Sequence, residues 1–316
     1  MSAEVRLEPS WILHTTARGD TSLVLDLFTL GHGRQALMAR SARAARPAIR
    51  ALYQPFRPLL VSWAGEGAVR TLIGIEEAGE GVPGGGAHAL EGTALACAYY
   101  CNELVLRLLG KGEPQAELFA HYSLALAELG AGAEVETVLR TFELQLLGAT
   151  GTLPDLEFAA RGGARVDPGR RYRYHVANAV AVEVRDETVY GRLKPERRGL
   201  DDGPGIADGD AAWHADGVTP DEGVEVAGAT LLAMARLDFD DPTVRAEARP
   251  LMKRVLHERL GGRGLNSRAL FGALGGTATA GGGGGGGAAV PGAAVDGEVV
   301  ADRPHGTDGA GGTGTG

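Results

Sequence analysis

Cysteine is almost absent from this sequence. Cys97 and Cys101 are its two examples in 316 residues, four apart in an apolar segment of helical character. Two thiols make neither a disulfide framework nor a four-ligand zinc site, so no metal is expected and both read as small packed residues. Long hydrophobic runs are missing as well: no stretch of 18 or more apolar residues without a charge occurs, which argues against a membrane span. The segment MSAEVRLEPS lacks the apolar core of a secretory signal, so the cytoplasm is the simplest location. The sequence patterns of catalysis are also scarce. There is no G-x-x-x-x-G-K-[ST], no G-x-S-x-G, and no second His after His257-Glu258 to complete a zinc-protease helix. The run Gly281–Gly287 has neither the lysine nor the following helix of a phosphate loop, and Asp201–Asp216 is acid-dense but lacks the closing glutamate of a calcium loop. A non-enzymatic protein without catalytic residues or cofactor is expected.

What the chain does have is unevenly placed. Thirty-one Lys+Arg against 40 Asp+Glu give a net charge of −9, which taken whole argues against a nucleic-acid partner. Residues 201–241 hold eleven acids and one base, and the tail from 275 holds four acids and one base. Without those two segments, 29 bases face 25 acids, a net of +4. Glycine is concentrated in the same way: 17 of its 50 occurrences fall between 275 and 316, a composition that cannot bury enough apolar surface to order itself.

Short apolar runs at Ser10–Thr16, Leu23–Thr29, Gln35–Ala39, Pro58–Trp63 and Val69–Ile75 are separated by turn residues such as Arg18-Gly19-Asp20 and Gly31-His32-Gly33. Five strands at that spacing predict a small barrel of the oligonucleotide-binding (OB) type over residues 1–80, with Gly79–Ala87 as a linker. A helical domain over 88–274 follows. Thr93–Leu109 is apolar nearly all round, Pro114 opens a helix to about Leu129, and Glu134–Leu147 repeats apolar residues at helical spacing with Arg140, Thr141, Glu143 and Gln145 outward. Within that domain 152–190 is a small mixed β segment, with a strand or hairpin at Arg171–Val184, and 201–225 is an acidic loop. Asp241-Pro242 starts a helix expected to break or kink near Pro250 and to end at Gly261-Gly262, and a short helix is expected at Asn266–Leu274. The fold class is therefore α+β, an OB barrel followed by a mainly helical domain and a disordered Gly-rich tail at 275–316.

The most informative charge feature is the stretch from Arg34 to Arg57. Arg34, Arg40, Arg43, Arg46, Arg50 and Arg57 occur with no acid between Asp26 and Glu66, and Tyr53 and Phe56 lie among them. Guanidinium forks match phosphate oxygens and aromatic faces stack on unpaired bases, so on a barrel this set points to single-stranded nucleic acid. A solvated basic loop is the competing reading. Two further basic sets, Arg245 to Arg268 and Arg161 to Arg173, read more readily as solvated faces.

Ordered blocks along the chain resemble the bacterial RecO family of DNA repair and recombination proteins. They are Trp11-Ile-Leu-His-Thr with Thr21–Thr29; Gly33-Arg34 leading to Gln54-Pro55-Phe56; Tyr100-Cys-Asn-Glu-Leu104; Leu139-Arg-Thr-Phe-Glu-Leu144; and Leu260–Phe271. The resemblance covers about residues 8–274. It implies a recombination mediator of the RecF pathway that binds single- and double-stranded DNA, anneals complementary strands and contacts the acidic tail of the single-stranded DNA-binding protein SSB. With RecR it helps load RecA. It further implies a DNA surface at Arg34, Arg40, Arg43 and Arg46, and a place in the cytoplasm beside the nucleoid. An SSB-tail contact is implied at Arg140, flanked by Leu139 and Glu143, with an exposed guanidinium pairing a terminal carboxylate. Many relatives carry a four-cysteine zinc module after the third helix, whereas residues 150–175 here contain no cysteine. The reading from another class is a protein-interaction adaptor that binds acidic tails through its helices, the barrel being structural. A nuclease is disfavoured because no clustered carboxylates are visible.

Overall fold

The computed structural model describes residues 4–79, 90–159, 163–176, 180–184 and 223–267. The expected linker (from residue 80), most of the acidic loop, the Gly-rich tail, and Arg161, Arg268 and the rest of the last expected helix lie outside the described residues.

Five strands, β1 (Glu4–Arg18), β2 (Ser22–Thr29), β3 (Gly33–Ala39), β4 (Leu59–Ala64) and β5 (Arg70–Glu77), close a barrel in the order β1-β2-β3-β5-β4. All neighbours are antiparallel except β3 and β5, which pair in parallel through Leu37↔Arg70 and Met38↔Thr71. Alternation explains the interior: Ile12, Leu25, Leu27, Leu37, Leu59, Val61 and Trp63 point inward and form one core. The run Trp11-Ile12-Leu13 breaks alternation because β1 is buried on both faces. A bulge at Leu13 shifts the β1–β2 register, and Trp11 and Leu13 join a second core shared with the helices.

Between β3 and β4 the chain makes a 3-10 turn (Ala42–Ala44) and a six-residue helix, α1 (Pro47–Leu52), where the sequence pattern predicts no helix. The helical domain contains α2 (Gly92–Leu108), α3 (Ala116–Gly130) and α4 (Val135–Ala149), close to expectation. A three-stranded antiparallel sheet, β7-β6-β8, comes from β6 (Arg171–His175), β7 (Val180–Glu183) and β8 (Val224–Ala227). The last strand runs straight into α5 (Gly228–Ala235), and α6 (Pro242–Arg259) completes the described fold.

Asp241 caps α6 as expected, its carboxylate accepting from Thr243 N–H at 2.7 Å, and Pro242 occupies the first turn. The break expected near Pro250 does not occur. The helix runs unbroken through it, because Val244 and Ala248 on one side and Leu251, Met252, Val255 and Leu256 on the other are all buried. Burial of that stripe outweighs an interior-proline cost of roughly 3 kcal/mol.

α2 is the hub. Asn102 Nδ2 donates to the carbonyl of Leu13 in β1 at 2.9 Å, and its Oδ1 accepts from Tyr122 of α3. Trp11 Nε1 donates to Ser123 Oγ at 2.9 Å, while Phe28 meets Phe119 with ring centroids 5.4 Å apart. Gly33 permits a close approach between the barrel and the connection from α2 to α3. Its φ is +63°, and a Cβ there would fall 1.9 Å from the Glu113 carbonyl oxygen, so only glycine fits.

Candidate nucleic-acid interface

The 3-10 turn and α1 carry the arginine run out of the barrel. Arg40, Arg43, Arg46 and Arg50 are exposed, and none of the four has an acidic partner among the described residues. Arg57 is partly exposed and faces Glu77 Oε1 at 3.5 Å, a solvent-screened contact worth little. The turn is anchored to the β1–β2 hairpin: Arg43 N–H donates to the Thr21 carbonyl at 2.8 Å, and Arg43 Nη1 donates to that of Gly19 at 3.3 Å. A cleft of about 600 Å³ opens between these elements, with Asp20, Thr21, Arg43, Arg50, Tyr53 and Gln54 on its walls.

Three of the eight expected DNA-contact side chains are placed otherwise. Arg34 does not face solvent freely: Nη1 donates to the carbonyls of Leu106 and Leu109 at 2.7 and 2.6 Å. Those are carbonyls of the last turn of α2, which leaves C=O groups unsatisfied and places partial negative charge there, so Arg34 closes that helix end. Burial pushes its guanidinium below the usual value, against the opposing pull of Asp26. Tyr53 and Phe56 are not stacking platforms. Tyr53 is 9% exposed and packs into the barrel core, and Phe56 is 8% exposed with its ring 4.8 Å from Tyr99, edge to face. Both aromatics gain more from apolar contacts than exposure to water would allow.

The expected tail-binding residues are also placed differently. Arg140 and Glu143 were expected outward; their side chains are 1% and 0% exposed, and Leu139 is buried beside them. Arg140 Nη2 meets Glu143 Oε1 at 2.6 Å, and the Tyr100 hydroxyl of α2 donates to the same oxygen at 2.6 Å. The physical reason is that α4 has two apolar stripes, since Leu144 and Leu147 are buried as well as Val138, Phe142 and Leu146. A helix enclosed on most sides has to bury its polar i, i+3 pair and satisfy it internally. Burial pushes the Glu143 carboxyl up to about 6, although Arg140 and the Tyr100 hydrogen bond pull the other way. Toward the surface, Glu136 lies 3.9 Å from Arg140 Nε and 3.7 Å from Arg249 Nε.

Sequence reasoning missed the role of Glu103. Its two oxygens accept from Asn266 N–H and Ser267 N–H, each at 2.8 Å, and Arg107, 2.8 Å from Glu103, donates to the Gly264 carbonyl at 2.8 Å. This clamps the segment after α6 onto α2. The second basic set is partly engaged too: Arg245 donates to the carbonyls of Phe239 and Asp240 at 2.5 and 2.8 Å. In the third, Arg171 pairs with Glu247 at 3.0 Å and Arg173 with Glu225 at 2.5 Å.

Among the described residues no group of three or more His, Cys, Asp or Glu could hold a metal ion, and no helix is long and apolar enough to cross a membrane. Where the resemblance implies a zinc module, backbone hydrogen bonds link Val166 to Glu157 and Ala159 to Ala164 at 2.8 and 2.9 Å. Asp155 Oδ1 accepts from Glu157 and Phe158 N–H groups, each at 3.1 Å.

Strand order, the parallel β3–β5 closure and a helix between β3 and β4 define an OB-like barrel, joined here to a helical domain through a buried seam on α2. Residues 6–78 match the family described as recombination protein O N terminal, and residues 89–190 match recombination protein O C terminal. The chain is 39% identical over 269 residues to the DNA repair protein RecO of Methylococcus capsulatus, covering 85% of this chain and 94% of the relative. It is 34% identical over 261 residues to the RecO of an Azoarcus species, covering 83% and 93%, and 34% identical over 263 residues to that of Actinobacillus succinogenes, covering 83% and 93%. The chain belongs to the RecO family of DNA repair proteins.

Proposed function

We propose that this protein is a non-enzymatic recombination mediator that holds single-stranded DNA against the outer barrel surface formed by the 3-10 turn and α1. The observation that carries this reading is the group of four exposed arginines, Arg40, Arg43, Arg46 and Arg50, without an acidic partner among the described residues. Guanidinium groups left unpaired on one face are available to displace counterions from a phosphate backbone. Arg57 extends the face. Arg34 supports it from below by fixing β3 against α2.

Family membership supports the remaining roles: strand annealing, duplex DNA binding, contact with the SSB tail, and cooperation with RecR in loading RecA, all beside the nucleoid. Arg140 serves an SSB contact from beneath the surface, by positioning α4. The test is fluorescence anisotropy with a labelled oligonucleotide over a salt series. Binding with a steep salt slope, sharply weakened in the Arg43→Glu/Arg46→Glu double variant, is expected. Retention of DNA unchanged by that reversal would favour the adaptor reading, and failure to bind at low salt would end the DNA reading.

A further inference from the structure

The cleft beside Arg43 contains a feature that phosphate binding does not explain. Its lining includes one carboxylate, Asp20, together with two arginines, Arg43 and Arg50, among uncharged residues. A carboxylate among phosphate contacts repels the backbone, so it weakens binding unless it meets a donor on the ligand. Asp20 is exposed at the tip of the β1–β2 hairpin, with no partner among the described residues. Its neighbours on both sides are fixed: the carbonyls of Gly19 and Thr21 both accept from Arg43, at 3.3 and 2.8 Å. The hairpin tip is thereby pinned beside a guanidinium with which Asp20 itself forms no ion pair. Across the cleft stand Arg50, Tyr53 and Gln54 from α1 and its end. A volume of about 600 Å³ lies in the range of small-ligand sites, roughly 300–1,000 Å³, and accommodates one nucleotide.

We infer that this cleft is a nucleotide subsite for one unpaired base of the bound strand, in which Asp20 selects guanine. This rests on the proposed DNA-binding reading. A carboxylate accepts and does not donate, and its two oxygens match two parallel N–H donors. Guanine presents that pair on its Watson–Crick edge, N1–H and the 2-amino group. Adenine and cytosine offer one amino donor beside an acceptor, and thymine offers one N–H between two acceptors. Gln54 carries an amide that can donate to guanine O6, and Arg43 and Arg50 hold the phosphates on either side. The resulting order is guanine first, adenine and cytosine next, thymine last.

The experiment is competition anisotropy at low salt with a twelve-residue thymidine strand, unmodified or carrying one central dG, dA, dC, against the intact protein. One dG is expected to tighten binding about five- to tenfold, the low end of what a good bidentate base contact gives. Asp20→Asn removes the second acceptor and the negative charge together. It is expected to erase the dG preference while binding the all-thymidine strand more tightly than the parent does. Equal affinity for all four strands, or a dG preference that survives Asp20→Asn, overturns the subsite while the arginine face stands. Loss of the preference without tighter all-thymidine binding places Asp20 away from the phosphates and also overturns it. Free dGMP is expected to compete poorly at the same concentration; equal competition makes the cleft a mononucleotide pocket and refutes the strand assignment. Absence of binding to any strand removes both readings.

Discussion

Arginine has opposite fates in two regions of this molecule. On the barrel's outer surface Arg40, Arg43, Arg46 and Arg50 stand exposed. At the seam around α2, Arg140 is enclosed against Glu143, and Arg34 closes the end of the helix through two carbonyls. The blocks that carry the family resemblance belong to the seam. Leu13 receives Asn102, Phe56 packs on Tyr99, Glu143 accepts from Tyr100, and Asn266 and Ser267 donate to Glu103. The exposed arginines fall between those blocks. Recognisable sequence in this chain therefore marks how barrel and helices are joined, and the surface proposed to meet DNA is read from charge.

Breaking the seam should cost stability, and the largest loss is expected at Arg140. Arg140→Ala leaves the Glu143 carboxylate buried without its cation, a change that costs about 3–5 kcal/mol in such pairs. Urea denaturation followed by far-UV circular dichroism checks it, with the midpoint falling and the slope unchanged. A loss under 1 kcal/mol would mean that Arg140 is solvated in solution. Gly33→Ala comes next. The added Cβ meets backbone rather than a movable side chain, and the positive φ disfavours any L residue, so about 2–3 kcal/mol should be lost by the same measurement. Arg34→Ala should lose about 2 kcal/mol, because two charge-assisted hydrogen bonds to α2 disappear.

The exposed face should give the reverse pattern. Arg43→Glu/Arg46→Glu is expected to weaken oligonucleotide binding about ten- to hundredfold and to flatten the salt slope by at least about 1.4, two phosphate contacts at roughly 0.7 each. Its stability should stay within about 0.5 kcal/mol of the parent, as for surface substitutions in general. Arg34→Ala measured beside it sharpens the contrast, since it should lose stability while folded protein keeps most of its affinity.

Much of the fold follows from local pattern. Four of the five barrel strands and α2, α3 and α4 lie within two residues of where periodicity puts them, while β1 starts six residues before its expected Ser10, and the arginine-rich, acid-free stretch is visible from composition alone. What failed needed tertiary information. α1 has too few apolar residues to show a face, and α5 is apolar nearly all round, so neither displays an amphipathic period. Tyr53 and Phe56 look the same in sequence whether they stack on a base or fill a core. The stripe of Val138, Phe142 and Leu146 taken alone puts Arg140 and Glu143 toward solvent. Leu144 and Leu147, outside that stripe, were the available sign of a second.

The smallest effect expected concerns the protonation of that buried pair. Burial raises the Glu143 carboxyl to about 6 in the folded state, above its ordinary value of 4.5, so desolvation outweighs the attraction of Arg140. Between those two values the folded protein binds more protons at this site than the unfolded chain does. The contribution of Glu143 to stability is therefore fully present below about pH 4.5 and is lost as the pH rises through about 6. Most paired carboxylates act in the opposite direction over this range, so the whole-protein profile hides the effect and a difference measurement is needed. Glu143→Gln keeps shape and a hydrogen-bond acceptor for Tyr100 but cannot titrate. Its stability relative to the parent should improve from pH 4.5 to pH 6 and level off above. A difference that is flat, or falls, across this interval would mean that Arg140 holds the carboxylate ionised. The seam would then be an ordinary ion pair rather than one strained by its own burial.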